Sequence, residues 1–166
     1  MLKRAAILAG ALFLMLLTIS IVFIVGMRRK SLPVLNAVRR VNRRVFNPRQ
    51  RSAGTPGAYA SVIRHAGRTT GKTYTTPVAA VATGDGFVIA LPYGSHADWV
   101  KNVLAAGSAT IVDEGHTFPV DRPEIIPMET VADRFPPKDR RSHRLFGVDQ
   151  CLRVRRAEPE AASEQP

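Results

Sequence analysis

Gly67-Arg68-Thr69-Thr70-Gly71-Lys72 puts two cations, two hydroxyls and two glycines into six residues. Such a stretch can hold an anion. The guanidinium and ammonium supply charge, the hydroxyls donate, and the glycines free backbone N–H groups to turn toward a ligand. It is not a nucleotide-hydrolysing P-loop, which has four residues between its first glycine and the Gly-Lys pair; here there are three. A P-loop also leads into a helix, whereas strand-like Tyr74-Thr75-Thr76-Pro77 follows here. A solvated surface hairpin has the same composition, so the segment alone leaves both readings open. A second stretch, Leu91 to Asn102, is a strand end turning into a helix and carries Tyr93, His96, Trp99 and Asn102. Taken alone, Trp99 reads as core.

Other chemistries find little support. The single cysteine, Cys151, cannot form an intramolecular disulfide or a multi-thiolate metal site. His65, His96, His116 and His143 are too far apart for any short-range zinc spacing. No G-x-S-x-G elbow is present, which leaves a hydrolase unsupported.

The elements that must position these residues are mostly short strands. After the Gly/Pro-rich break Ser52 to Gly57, strand-like runs cover Ala58 to His65 and Thr73 to Thr83, and Gly84-Asp85-Gly86 signals a hairpin. Phe87 to Leu91 is wholly apolar and stops at Pro92, which predicts a strand buried on both faces. Ala97 to Ala106 switches to helical period, with Trp99, Val100, Val103 and Leu104 on one face, Asp98 at its start and Gly107 after its end. Ala109 to Asp113 and Thr117 to Ile126 form a hairpin about Glu114-Gly115, and Pro119 and Pro123 predict an edge position for its second strand. A short helix with an Arg-rich connection is expected in Pro127 to Gly147, then a last strand over Cys151 to Arg155. Strands so spaced suggest a small barrel or sandwich.

Ala5 to Met27 holds 23 uncharged residues, 13 of them Leu, Ile, Val or Phe. A helix of that length rises ~35 Å, enough for a bilayer core of ~30 Å. The run lacks a small-residue cleavage site, which favours an uncleaved anchor over a signal peptide. Lys3 and Arg4 precede it, and Arg28, Arg29, Lys30, Arg39, Arg40, Arg43 and Arg44 follow, so the positive-inside rule predicts a cytoplasmic body at the inner membrane. Residues 28–51 then read as a basic juxtamembrane helix and linker. Its apolar residues, Leu32, Leu35, Val38, Val41 and Val45, keep near-helical spacing up to Asn47-Pro48. The helix suits either an anionic headgroup surface or a solvated spacer. The net charge of +11 arises entirely here: the first 51 residues carry 11 Lys/Arg and no acid, and the rest balance 13 against 13. A nucleic-acid-binding body is thereby excluded. The expected organisation is a transmembrane helix (5–27), the linker (28–51), a folded domain (52–157) and an acidic, disordered tail (158–166).

"HAGRTTGKTYTTPV" (His65 to Val78), "GDGFVIALPYGSHADWVKNVLAAG" (Gly84 to Gly107) and "LFGVDQCLRVRR" (Leu145 to Arg156) together resemble the deazaflavin-dependent nitroreductase family, in order and spacing, from about Val41 to Ala157. These are split-barrel oxidoreductases of actinobacteria that use coenzyme F420, an 8-hydroxy-5-deazaflavin. The resemblance implies a mainly β (α+β) split β-barrel of the FMN-binding-like kind, here with an N-terminal transmembrane helix. It implies that Arg68, Thr69, Thr70, Gly71 and Lys72 hold the phosphate and carboxylates of the cofactor tail. Thr76 and Pro77 would line the groove, Leu91, Pro92, Tyr93 and Gly94 would approach the deazaflavin ring, and Trp99 and Asn102 would close the site.

The expected function is a membrane-anchored reductase that passes a hydride from reduced F420 to a small lipophilic acceptor such as a quinone, nitroaromatic or enone. No general base is required; Tyr93 and His96 are the candidate proton donors. Two alternatives remain: a non-catalytic F420 carrier or redox sensor, and a split-barrel protein binding FMN or haem. Many members of that family put an additional basic residue in the segment held here by Thr69 and Thr70, and often Arg where this chain has Thr75; the aromatic segment through which some bind nitroaromatic prodrugs has no counterpart in Arg140 to Gly147. Prodrug activation is therefore not implied.

Overall fold

A computed structural model describes residues 2–42, 44 and 52–158. The expected continuation of the juxtamembrane helix through Val45 to Pro48, and the tail beyond Glu158, lie outside the described residues. Helix α1 (Leu2–Arg28) contains a 22-residue stretch, Ile7–Arg28, of mean hydropathy 2.8, long and apolar enough to cross a membrane. The rest of the protein leaves most of it bare: Ile7, Phe13 and Val22 are 70%, 66% and 58% exposed. Lys30, at φ 51°, turns the chain into α2 (Leu32–Val41). The two helices meet so closely that a Cβ on Gly26 would strike Val34.

The body is one antiparallel seven-stranded sheet in the order β2-β1-β5-β6-β7-β4-β3. The strands are β1 (Ser61–Ala66), β2 (Thr73–Val78), β3 (Ala80–Ala82), β4 (Gly86–Ala90), β5 (Ser108–Asp113), β6 (His116–Pro127) and β7 (Gln150–Arg156). The outermost strands, β2 and β3, are separated in sequence by Ala79 alone. One peptide chain therefore supplies both edges, and the sheet must curl until they meet. The single β-branched run expected over Thr73 to Thr83 is thus two strands serving opposite margins.

Curling gives the sheet a concave and a convex face, and period-2 alternation sorts side chains between them. Phe87, Ile89, Ile111, Leu152 and Val154 join Val100 and Val103 of α3 (Asp98–Ala106) in one cluster. Val88, Ile126 and Cys151 point the other way, into a second cluster with Met128, Phe135 and Val148. β4 is apolar throughout because both its faces are covered, and each wholly buried Val, Ile or Phe contributes about 1.5–3 kcal/mol. The second face is covered by two short 3-10 turns, Met128–Thr130 and Ala132–Arg134, and by α4 (Pro137–Phe146).

β6 corrects the sequence reading. Its prolines predict an edge strand, yet it is interior, paired with β5 through His116–Asp121 and with β7 through Val120–Pro127. Pro123 falls in the register shift between Asp121 and Glu124, where the ladder to β7 is interrupted. Pro119 lies just before the β7 pairing begins. Each proline thus occupies a point where a neighbour does not demand its missing N–H.

Candidate functional site

The basic loop joins β1 to β2 and closes on itself through Gly67 N–H to Lys72 O (2.8 Å) and Gly71 N–H to Gly67 O (2.8 Å). Gly71 makes the turn at φ +65°, a region costly for other residues. Arg68 is tied to α3. Its Nη1 donates to Asn102 Oδ1 (2.8 Å), its backbone N–H reaches the same oxygen (3.2 Å), and its Nη2 pairs with Asp98 (3.1 Å). Asp98 and Asn102 stand four residues apart on one face of α3, so a single guanidinium can bridge them. Lys72 differs. Among the described residues its ammonium has no hydrogen bond and no ion pair.

Behind Arg68 the network goes on into the protein. Buried Asn102 Nδ2 faces His65 Nδ1 (3.4 Å), and His65 Nε2 faces Thr76 Oγ1 (3.4 Å). Since the Asn102 amide donates, Nδ1 must accept, which assigns the proton to Nε2 and makes Thr76 the acceptor. Burial lowers the His65 pKa, which favours the neutral ring. Thr76 and Pro77 are half-buried on β2, and Trp99 packs against the main core.

The Leu91–Gly94 turn is held by the N-terminal helices. Lys30 Nζ donates to Pro92 O (3.4 Å) and Gly147 O (3.0 Å), and Arg39 Nη2 donates to Tyr93 O (3.1 Å). Asn42 Nδ2 donates to the Tyr93 hydroxyl, which leaves the phenolic proton available to another acceptor. Burial raises the Tyr93 pKa, against the opposing pull of Asn42 and Arg39. His96 is exposed.

The residues singled out by sequence therefore form two groups. Arg68, Asn102 and Thr76 belong to one network; Tyr93 and Pro92 are bonded to α2 and to the α1–α2 corner. His65, Asp98, Lys30, Arg39 and Asn42 escaped the sequence reading as site residues. Only the Asp98–Asn102 spacing offered a signal, because the other contacts span more than 10 residues in sequence. A cleft of about 450 Å³ lies elsewhere, beside α4, and none of the residues assigned to the cofactor lines it. Burial pushes the Cys151 thiol up to about 12, so it is no nucleophile at neutral pH. Among the described residues no group of three His, Cys, Asp or Glu could hold a metal.

The site thus combines a curled antiparallel sheet with a glycine-hinged basic loop at one margin, whose Lys72 ammonium has no partner among the described residues. The chain belongs to the F420H(2)-dependent quinone reductase family, whose profile matches residues 38–135, more than half of its length. It is thereby an oxidoreductase, as the resemblance to deazaflavin-dependent enzymes implies. No curated protein matches it. Among solved structures it is similar to an F420-H2 dependent reductase of Mycobacterium smegmatis, at 14% identity over 57% of this chain and 92% of that one, with a TM-score of 0.43. It is also similar to a domain-swapped dimer (15%; 72% and 97%; 0.45) and to the haem storage protein HutZ of Vibrio cholerae (11%; 68% and 91%; 0.45).

Proposed function

We propose that the protein is a single-pass membrane reductase whose split-barrel domain faces the cytoplasm and passes a hydride from F420H2 to a lipophilic acceptor of the quinone class. The observation that carries this reading is the grip of the α1–α2 corner on the Leu91–Gly94 turn. Lys30, Arg39 and Asn42 all bond to Pro92 or Tyr93. The turn assigned to the cofactor ring thus adjoins the end of the apolar helix, so an acceptor dissolved in the bilayer would reach the ring without crossing water.

The loop suits the cofactor's anionic tail. Lys72 is an exposed cation with no partner among the described residues, and the carboxylate of Asp98 is already paired with Arg68. Lys72, Thr69 and Thr70 would take the tail, with Gly71 allowing the backbone to approach. Arg68, anchored on α3, would hold the loop in shape and add charge. Thr76 and Pro77 on β2, with Trp99 and Asn102 on α3, would wall the groove, and Leu91, Pro92 and Gly94 would meet the ring through main-chain groups. When bound, F420H2 supplies a hydride from its central ring. The chain's own tasks are to orient donor and acceptor, to exclude water and to offer a proton. Tyr93 is better placed than His96 for the last of these, because Asn42 occupies its oxygen and burial keeps its proton in place.

The test uses purified full-length protein, F420H2 and a soluble menaquinone analogue. Oxidation of F420H2 that depends on both protein and quinone, with Tyr93→Phe slowing turnover more than binding, supports the reading. Tight F420 binding without oxidation by any quinone, nitroaromatic or enone would replace it with the carrier. A reporter fused after Pro166 should behave as cytoplasmic; an active external alkaline phosphatase fusion overturns the orientation.

A further inference from the structure

The cleft beside α4 has an apolar floor that includes Met128 and Val148, and walls carrying Arg140, Arg141, Arg144 and His143. No acidic side chain lines it. None of the three arginines makes an ion pair among the described residues. Arg144 lies four residues after Arg140 and three after Arg141, so the like charges share a helix face and repel. His143 Nδ1 is buried with no hydrogen-bond partner among the described residues, and its ring packs edge-on to Phe135 at 4.9 Å. The acid of the same helix, Asp139, accepts a hydrogen bond from the Tyr59 hydroxyl at 3.0 Å. An anion with several acceptor oxygens would relieve the repulsion among the three arginines.

The cleft's place in the fold identifies where such an anion comes from. α4 rests on the last turns of α1: Phe146 meets Phe23 edge-on at 5.8 Å, and Arg28 Nη1 donates to the carbonyl of Arg144 at 2.9 Å. Arg28 marks the end of the apolar run. Leu145, beside it on α4, is 47% exposed. With α1 across a bilayer, this end of α4 lies at headgroup depth, where a basic pocket meets phosphodiesters already tethered to an apolar tail.

We propose that this cleft binds the phosphate headgroup of an anionic phospholipid. The three guanidiniums bond its oxygens, and Met128 and Val148 take the start of the glycerol. The proposal rests on α1 being a membrane span. A free phosphate shares the chemistry but lacks the tail that the apolar floor and the neighbouring span accommodate.

The test takes full-length protein in neutral detergent and adds short-chain phosphatidylglycerol, short-chain phosphatidylcholine or inorganic phosphate. Thermal stability and retained lipid, by native mass spectrometry, are followed. Phosphatidylglycerol should be retained at least roughly tenfold better than phosphatidylcholine. The exposed pair Arg141→Gln, Arg144→Gln should remove that preference while leaving melting and F420 binding intact. Ala132→Leu, which fills the cleft and keeps every charge, should remove it too. Equal retention of both lipids by the wild type, or a preference that survives both variants, overturns the site. Stabilisation by inorganic phosphate as strong as by phosphatidylglycerol overturns the lipid source. Resistance of α1 to alkaline extraction from membranes is scored separately, so failure of the span and failure of the cleft are distinguishable.

Discussion

Replacing Lys72 and Arg68 one at a time separates ligand binding from loop architecture, because the two cations of one loop sit in opposite surroundings. Lys72 is exposed and has no partner among the described residues. Lys72→Ala should leave stability within ~0.5 kcal/mol. A charge-assisted bond to an anionic tail contributes ~1.5–3 kcal/mol, and exposure pulls that to the low end. With ~1.4 kcal/mol per factor of ten, F420 binding should weaken roughly tenfold. Arg68→Ala removes the ion pair to Asp98, whose side chains are 38% and 86% exposed, and the 2.8 Å bond to buried Asn102. The exposed pair contributes at most ~1 kcal/mol, and the bond to Asn102 a similar amount. The loss of about 1–2 kcal/mol should lower the melting temperature by roughly 5–15 °C for a domain of ~100 residues. Melting is read by scanning fluorimetry in detergent and affinity by cofactor fluorescence, each at low and high salt. Salt should weaken the wild type more than Lys72→Ala. A Lys72→Ala protein that binds F420 like the wild type, or an Arg68→Ala protein that melts like it, would refute this division of labour.

Burial lowers the pKa of both His65 and His143, so their contribution to stability is present above ~6.5 and is lost as pH falls through the lower folded values. Melts between about pH 7.5 and pH 5 should show that loss, attenuated in His65→Gln; a flat profile would sink the assignment of a neutral His65. Cys151 is wholly buried and its thiol pushed up to about 12, so a maleimide should label it only after unfolding. Rapid labelling of the native protein would show the second cluster to be open. A Cβ on Gly86 would collide with Val154 O and come within 2.7 Å of Arg155 Cα, both backbone. Gly86→Ala should therefore destabilise by more than about 2 kcal/mol, read by chemical unfolding.

Local pattern exposed the elements more fully than their neighbours. The apolar run Phe87 to Leu91, the amphipathic turns from Asp98 and the Glu114-Gly115 hairpin were all legible, since each follows from period or turn chemistry within a few residues. Strand order was not. Nothing near Ala79 signals that the chain there leaves one margin of the sheet for the other, and nothing near Pro119 or Pro123 reveals a partner strand that relaxes its demand at those two points. The site divides in the same way. Arg68, Lys72 and Asn102 could be marked from motif, but whether a cation is free or committed depends on α3 docking against β1, a contact 30 residues or more away.

Lys30 shows how the helix and the body become one piece. Its side chain is three-quarters buried, and desolvation lowers its pKa more than Asp149, at 3.8 Å, raises it. A lysine held this way is retained only if its bonds compensate, and its ammonium reaches carbonyls on two separate turns, Pro92 and Gly147. Its backbone meanwhile adopts the left-handed turn that folds α2 back onto α1. Any tilt of α1 against the body would break bonds to the β4–α3 turn and the α4–β7 turn together, leaving a largely buried charge uncompensated. The corner after the apolar helix and the α2 helix it leads into are thus both tied to the turn that carries Pro92 and Tyr93.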